Sequence, residues 1–196
     1  RGLMRYFAVL CLMVLVLLSY GRFVEPNLLV VERHTMRAPF NLKVALIADI
    51  HVGIYSTPGQ LSRLVKRLNR LDVDEVWVAG DWSNRPPLEI NKAFAPLKQL
   101  RHPIFSVPGN HDAERPGPPI KFALRDALQS AGVEHLNNDV VERDNYRLVG
   151  LGSAWAYDAN YKLVSRAGND KPTIVLAHNP DVANFIQFAK VIKDLA

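Results

Sequence analysis

The sequence predicts a layered α/β domain preceded by one apolar N-terminal helix. Tyr6–Leu18 (YFAVLCLMVLVLL) is an unbroken run without charge. From Leu42 onward, strand-length apolar runs alternate with segments whose apolar residues recur at helical spacing. Farther on, short runs separated by turn residues replace the helices, so the sheet is expected to change from crossover units to hairpins.

The first element is flanked by Arg1 and Arg5 in front and Arg22 behind. It is followed by LSYGRFVEPN, which offers no small-residue cleavage site, and it shows no polar stripe of the kind a surface helix carries. A signal-anchor over residues 1–21 is therefore preferred to a cleaved signal or a core helix, although the run is short for a full span. Residues 22–40, with Pro26 and Pro39, read as a linker, and residues 41–196 as the domain. Leu42–Ala48 is expected to be a buried strand ending at Asp49, and Pro58–Leu71 an amphipathic helix. Glu75–Ala79 is a second strand ending at Gly80-Asp81, and Leu88–Leu100 a helix. Ile104–Val107 is a third strand, running into Gly109-Asn110-His111-Asp112, and Pro119–Ala131 a further helix. Val133–Leu136, Val140–Arg143 and Arg147–Leu151 are short strands. Thr173–Ala177 is a strand ending at His178, and Asp181–Ala189 a short helix that Asp181 would cap.

The 196 residues are 48% hydrophobic, enough for one domain with a real core, and carry a formal charge of +5. Cys11, the single cysteine, lies in the apolar run, so neither an internal disulfide nor a cysteine metal cluster is possible. Arg63, Lys66, Arg67 and Arg70 form the polar face of the first amphipathic helix, either simply solvated or in contact with anionic lipid headgroups. No basic stripe interleaved with aromatics is present, so no nucleic-acid partner is expected. Arg1 and Arg5 weakly place the domain on the extracytoplasmic side of a membrane, while Arg22, Arg33 and Arg37 argue the other way. The oligomeric state is not legible.

Four strands thus end in Asp49-Ile50-His51, Gly80-Asp81, Gly109-Asn110-His111-Asp112 and His178. The carboxyl ends of strands in such sheets line one crevice, so these residues should meet there. Their donors are carboxylate, amide oxygen and imidazole without thiolate, a set suited to divalent Mn, Fe or Zn. Strand alternation is expected to bring Asp49 and His51 to one face. Asp81 would bridge two ions, one per oxygen, and two such ions would clamp both oxygens of a phosphoryl displacement. Asn110 and His111 should diverge, and Asp112 would then hold the His111 imidazole in one orientation. His34, His102 and His135 are expected to be structural or solvated, and Trp77 and Trp155 to be core. Trp82 is read either as a pocket wall or as core, and Asn84 and Arg85 either as phosphate contacts or as a polar loop.

D-x-H, G-D, G-N-H-D and the later His, taken in this order, resemble the calcineurin-like metallophosphoesterase family from Lys43 to the end of the chain. LAHNPD (Leu176–Asp181), the apolar N-terminal segment and VEPN resemble its bacterial membrane-associated branch. The resemblance implies a metallophosphoesterase-type sheet sandwich with flanking helices. It implies one ion on Asp49, His51 and Asp81 and a second on Asp81, Asn110 and His178. It gives His111 the role of stabilising the reacting phosphate or protonating the leaving oxygen, with Asp112 orienting it. Family members also carry a later Gly-His-x-His that completes both metal sites, and this motif is missing here. Val191–Ala196 reads as the lead-in to its strand, so a chain cut short is expected in preference to a degenerate site, with impaired metal binding and turnover in this fragment.

The function expected is that of a dinuclear-metal phosphohydrolase, a phosphoesterase or pyrophosphatase using a metal-activated hydroxide. The anchor and the basic helix make a lipid-linked or nucleotide-sugar lipid substrate attractive. The competing expectation is a membrane-anchored scaffold or binding module with a degenerate metal site.

Overall fold

The computed structural model describes residues 2–87, 89–113, 120–166, 168 and 170–186. The chain divides into two compact units, residues 1–36 and 37–196. In the first unit, α1 (Gly2–Ser19) runs into a π-helical turn, Tyr20–Val24, and a 3-10 turn, Glu25–Asn27. No residue of α1 is buried, and Gly2–Val24 is long and apolar enough to cross a membrane. Residues 28–38 carry neither helix nor strand.

The second unit is built on a parallel sheet. β1 (Val44–Ile47), β3 (Glu75–Ala79), β5 (Ile104–Val107) and β6 (Glu134–His135) lie side by side in that order. β2 (Val52–Gly53) and β4 (Ser83–Asn84) form a small parallel pair beyond the ends of β1 and β3. In a second sheet, β7 (Asp139–Glu142) and β8 (Arg147–Gly150) make the expected antiparallel hairpin. β9 (Thr173–Leu176) then joins β8 in parallel.

Three apolar cores stack the layers. α2 (Pro58–Leu68), α3 (Ile90–Phe94) and α4 (Lys121–Ser130) cover one face of the first sheet through Leu61, Val65, Phe94, Leu124 and Leu128. The two sheets share a core of Trp77, Phe105, Val107, Tyr146, Leu148 and Leu176. Val149, Leu151 and Val182 form a third core on the far side of the second sheet, where α5 (Lys162–Arg166) contributes Leu163 and Val164. The result is a sheet sandwich with flanking helices. A buried carboxylate ties the sheets together. Glu75 accepts hydrogen bonds from Trp77 Nε1 (2.8 Å), Tyr146 Oη (2.6 Å) and Arg143 Nη2 (2.7 Å). Burial, with the Glu75 charge beside it, pushes the Tyr146 phenol well above its ordinary pKa. Phe40 stacks on Tyr146 at 5.3 Å, so the packed unit takes in the last residue of the expected linker.

α2 starts as its sequence dictates. Thr57 and Gln60 form a reciprocal capping box and Pro58 occupies the first turn. Several elements depart from expectation. The helix expected over Leu88–Leu100 is broken into α3 and a 3-10 turn, Ala95–Gln99, where Pro96 has no N–H to continue the i→i−4 ladder and takes a first-turn position of the new turn. Leu88, Pro119, residues 187–189 of the last expected helix, and Val191–Ala196 lie outside the described residues. β1 is shorter than expected and only partly buried. Among the described residues it ends the sheet order, leaving Leu46 64% exposed. Trp155 is not core but 66% exposed, because it sits in the loop after β8 rather than on a strand. Trp77 is core, and so is Trp82, which meets Phe94 edge-on at 6.0 Å.

Candidate metal centre

The expected ligands do converge at the carboxyl ends of the strands, but Asp49 and His51 do not reach each other by strand alternation. β1 stops at Ile47, and the parallel ladder to the next strand continues through a kinked stretch. Asp49 N donates to Gly80 O (3.1 Å), His51 N to Asp81 O (2.9 Å) and Val52 N to Trp82 O (2.9 Å). Asp49, His51 and Asp81 all have left-handed backbones, with φ of 55°, 48° and 55°. L-residues adopt that conformation reluctantly, so the surrounding ladder imposes it, and it turns all three side chains toward one point.

That point is Asp81 Oδ2. It lies 3.4 Å from His51 Nε2 and 3.5 Å from His178 Nε2. His51 Nε2 is also 3.5 Å from Asp49 Oδ1, and His178 Nε2 is 3.1 Å from Asn110 Oδ1. The two expected trios therefore meet at one shared oxygen. Both histidine nitrogens approach Oδ2, while Asp81 Oδ1 accepts the backbone N–H of His111 at 3.0 Å.

The donor chemistry fits a cation. His178 Nδ1 lies 2.7 Å from the carbonyl oxygen of Ala79, which only accepts, so Nδ1 carries the proton. In a neutral ring Nε2 then presents a lone pair to the oxygens of Asn110 and Asp81, a cluster of acceptors with no proton between them. This is how a backbone carbonyl fixes the tautomer of a metal-ligating histidine. Ligand atoms of His51, Asp81 and His111 lie within 4.8 Å of one another, as do those of Asp49, Asp81 and His178.

Asn110 and His111 diverge. The amide goes to His178, while the His111 ring meets the His51 ring edge-on at 4.9 Å. Asp112 is buried, and its hydrogen bonds run to the protein's own loops rather than to His111. Oδ2 accepts from Trp82 N (3.0 Å) and Gly109 N (3.0 Å), and Oδ1 from Ser83 N (3.0 Å) and Ser83 Oγ (3.1 Å). Burial pushes its carboxyl up to about 6, with the Asp81 charge adding to the rise and the three amides opposing it. Asp112 thus clamps the turn carrying Asp81 to the turn carrying Asn110.

Two glycines allow these turns to touch. Gly80 has φ of 80°, and a Cβ there would lie 2.7 Å from Gly109 N and 2.9 Å from the His178 Cβ. A Cβ on Gly109 would fall into the Asp81 carboxylate, 2.7 Å from its Cγ.

Three contributors were not foreseen from sequence: the Ala79 carbonyl, the Ser83 donors to Asp112, and Asn179. Asn179 is buried and accepts from Ala154 N (3.1 Å) and Trp155 N (3.4 Å). Its one sequence signal was its place directly after His178. Asn84 belongs to the β2–β4 ladder, and Arg85 is exposed. His135 bonds Ser106 Oγ at 2.8 Å, and His34 lies exposed beside Glu32 in the first unit.

Residues 42–191 match the calcineurin-like phosphoesterase family, and the chain belongs to that family. A Helicobacter pylori protein described as an uncharacterized metallophosphoesterase is 30% identical over 147 residues, covering 71% of this chain and 39% of that protein. A Bos taurus transmembrane protein with metallophosphoesterase domain is 30% identical over 160 residues, covering 71% of this chain and 35% of that protein. The chain thus spans well under half the length of these curated relatives. One solved structure superposes with a TM-score of 0.50 at 15% identity, over 75% of this chain and 79% of the other, a likeness of fold alone.

Proposed function

We propose that the chain carries the catalytic half-sites of a dinuclear-metal phosphohydrolase acting on a phosphoester or pyrophosphate. The observation that supports this best is the shared oxygen of Asp81, 3.4 and 3.5 Å from the ligating nitrogens of His51 and His178. Asp49, His51 and Asp81 would hold one ion, and Asp81, Asn110 and His178 the other. When bound, such ions polarise the phosphoryl oxygens and acidify water. The protein's own residues do the rest. The left-handed turns fix the carboxylates, and the Ala79 carbonyl keeps the His178 proton on Nδ1. His111, edge-on to His51, stands where it can give a proton to a leaving oxygen. Membrane attachment as a single-pass protein through Gly2–Val24 belongs to the same reading. A lipid-linked substrate is a natural extension of it.

The test uses the full-length protein in detergent, loaded with Mn²⁺ and assayed on phosphomonoesters, phosphodiesters and pyrophosphate. Asp81→Asn should lower bound metal from two ions toward one or none. His111→Ala should keep both ions and lose roughly 10²–10⁴-fold in turnover, less for a nitrophenolate leaving group that needs little protonation. Full metal occupancy without turnover on any of these substrates would favour the scaffold reading instead.

A further inference from the structure

Charge is unevenly placed along this chain. Residues 50–71 and 93–111 contain six Lys and Arg and no Asp or Glu, which exceeds the +5 of the whole sequence, so the remainder is net acidic. The two segments are tied together at the end of α2. Asn69 Nδ2 donates to Gln99 O (2.8 Å), and Asn69 Oδ1 accepts from Arg101 N (2.9 Å). Leu61, Val65 and Leu68 turn inward on α2, and Arg63, Lys66 and Arg67 occupy the opposite, exposed side. Arg70 continues that stripe in the turn closing the helix, where its N–H reaches Arg67 O (3.1 Å). Lys98 and Arg101, both exposed, belong to the segment held by Asn69.

These cations differ from others in the second unit. Lys43, Lys121, Arg143, Arg147 and Lys171 each face a carboxylate within 4 Å. Among the described residues, Lys66, Arg67, Arg70, Lys98 and Arg101 face none. Arg63 with Arg67, and Lys66 with Arg70, are like charges four residues apart, a spacing that opposes the helix. The fold gains nothing from gathering them on one side, and a negative surface outside the chain would offset their repulsion.

We propose that this basic face docks the second unit on the surface of a bilayer that contains anionic lipid. This rests on the reading of Gly2–Val24 as a membrane span and adds an orientation to it. Residues 28–38, without helix or strand, extend to at most about 40 Å. That is about the diameter expected of a unit the size of residues 37–196. An anchored unit therefore stays within reach of the headgroups, and its charge selects the face that meets them. Each Lys or Arg near an anionic surface strengthens attachment about fivefold. A nucleic acid would match the charge equally, but residues 59–70 include no aromatic ring on which a base could stack.

The experiment places a donor fluorophore at Gly59→Cys, one turn before Arg63 on the same stripe, or at Asn145→Cys, in the exposed β7–β8 turn of the other sheet. Both are made with Cys11→Ser. Full-length protein is reconstituted into vesicles of phosphatidylcholine, or of phosphatidylcholine with phosphatidylglycerol, that carry a headgroup acceptor. Energy transfer from Gly59→Cys should rise in the anionic vesicles and fall back in about 1 M KCl, where the Debye length is about 3 Å. Transfer from Asn145→Cys should not rise. Lys66→Gln/Arg67→Gln/Arg70→Gln should lower the docked-to-undocked ratio about 10²-fold, with urea unfolding unchanged, and Arg67→Lys/Arg70→Lys should keep it. If the protein floats with both vesicles, equal transfer from Gly59→Cys in the two, or an equal rise from Asn145→Cys, would overturn the docking face and leave the span intact. Flotation with neither would overturn both. Flotation with anionic vesicles alone, lost in the triple variant, would overturn the span and keep the face. A gel shift of DNA or RNA lost in the triple variant, without any rise in transfer, would assign the face to nucleic acid and overturn the lipid surface.

Discussion

Replacing Gly109 by alanine would push a methyl group into the Asp81 carboxylate. The new Cβ would overlap Oδ1 and lie 2.7 Å from Cγ, where ordinary contact begins at 3.4 Å. The carboxylate would have to retreat by about 1 Å, several times the ~0.2 Å tolerance of a metal–ligand distance. It has little room to do so, because Oδ1 is held by the His111 amide and Oδ2 faces both histidines. The new Cβ would also lie 2.3 Å from the Asp81 backbone N, so backbone as well as side chain must shift. Overpacking costs roughly 1–3 kcal/mol and occasionally more, and a urea-unfolding curve on Gly109→Ala should show that the fold persists while the ligands are displaced. Metal content after dialysis against Mn²⁺ should fall below one ion per chain. Any residual phosphoesterase activity should drop by about 10²-fold or more, the penalty typical of a 1 Å misplacement. Gly59→Ala is the control, since a Cβ there meets nothing closer than Thr57 Oγ1 at 3.6 Å in a helix that tolerates it. Binding of two ions by Gly109→Ala with unchanged affinity would refute the claim that the close approach of Gly109 positions Asp81.

Asp112→Asn should destabilise the chain by about 2–4 kcal/mol in urea unfolding, because an amide cannot accept from all four donors that the carboxylate satisfies. Wild-type stability with a loss confined to turnover would restore the role of orienting His111. Glu75→Ala should cost about 3–5 kcal/mol by leaving the Tyr146 hydroxyl and Trp77 indole without their acceptor and Arg143 without its partner. A loss below 1 kcal/mol would show that the tie between the sheets is redundant. The half-buried His135 imidazole is held down to about 4 by desolvation, with Arg125 and Lys121 adding to the effect and Asp139 opposing it. Between pH 6.5 and 4 the unfolded chain takes up a proton at His135 that the native chain refuses, so the His135 contribution to stability should decline as pH falls through this window, while Asp112, held up to about 6, contributes in the opposite sense; the comparison of wild type with His135→Gln isolates the former. The decline should reach at most about 3 kcal/mol and be absent in His135→Gln. Unfolding free energies measured from pH 7 to pH 4 would decide this.

The sequence alone determined the layered α/β class, the exposed apolar helix and the identity of the clustered donors. Each depends on short-range pattern. Strand runs such as Glu75–Ala79 and Ile104–Val107 announce themselves by composition, and a polar cluster directly after such a run has to emerge at the strand's carboxyl end. Tyr6–Leu18 needs no partner to be recognised as apolar. What only the tertiary structure decided was how the donors are held. The left-handed backbones of Asp49, His51 and Asp81 arise from a ladder between segments some thirty residues apart, and no local propensity favours them. The amides that claim Asp112 come from Trp82 and Ser83 as well as its neighbour Gly109, so its part as a clamp appears only once the turns pack. Trp155 shows the same limit in reverse. A tryptophan in a short apolar stretch reads as core, but exposure depends on which way a loop is tied, and here asparagines from two other segments tie it outward. Spacing along the chain tells which groups can meet. The directions of their side chains, and the carbonyl or amide that completes each one, are set by long-range hydrogen bonds and packing.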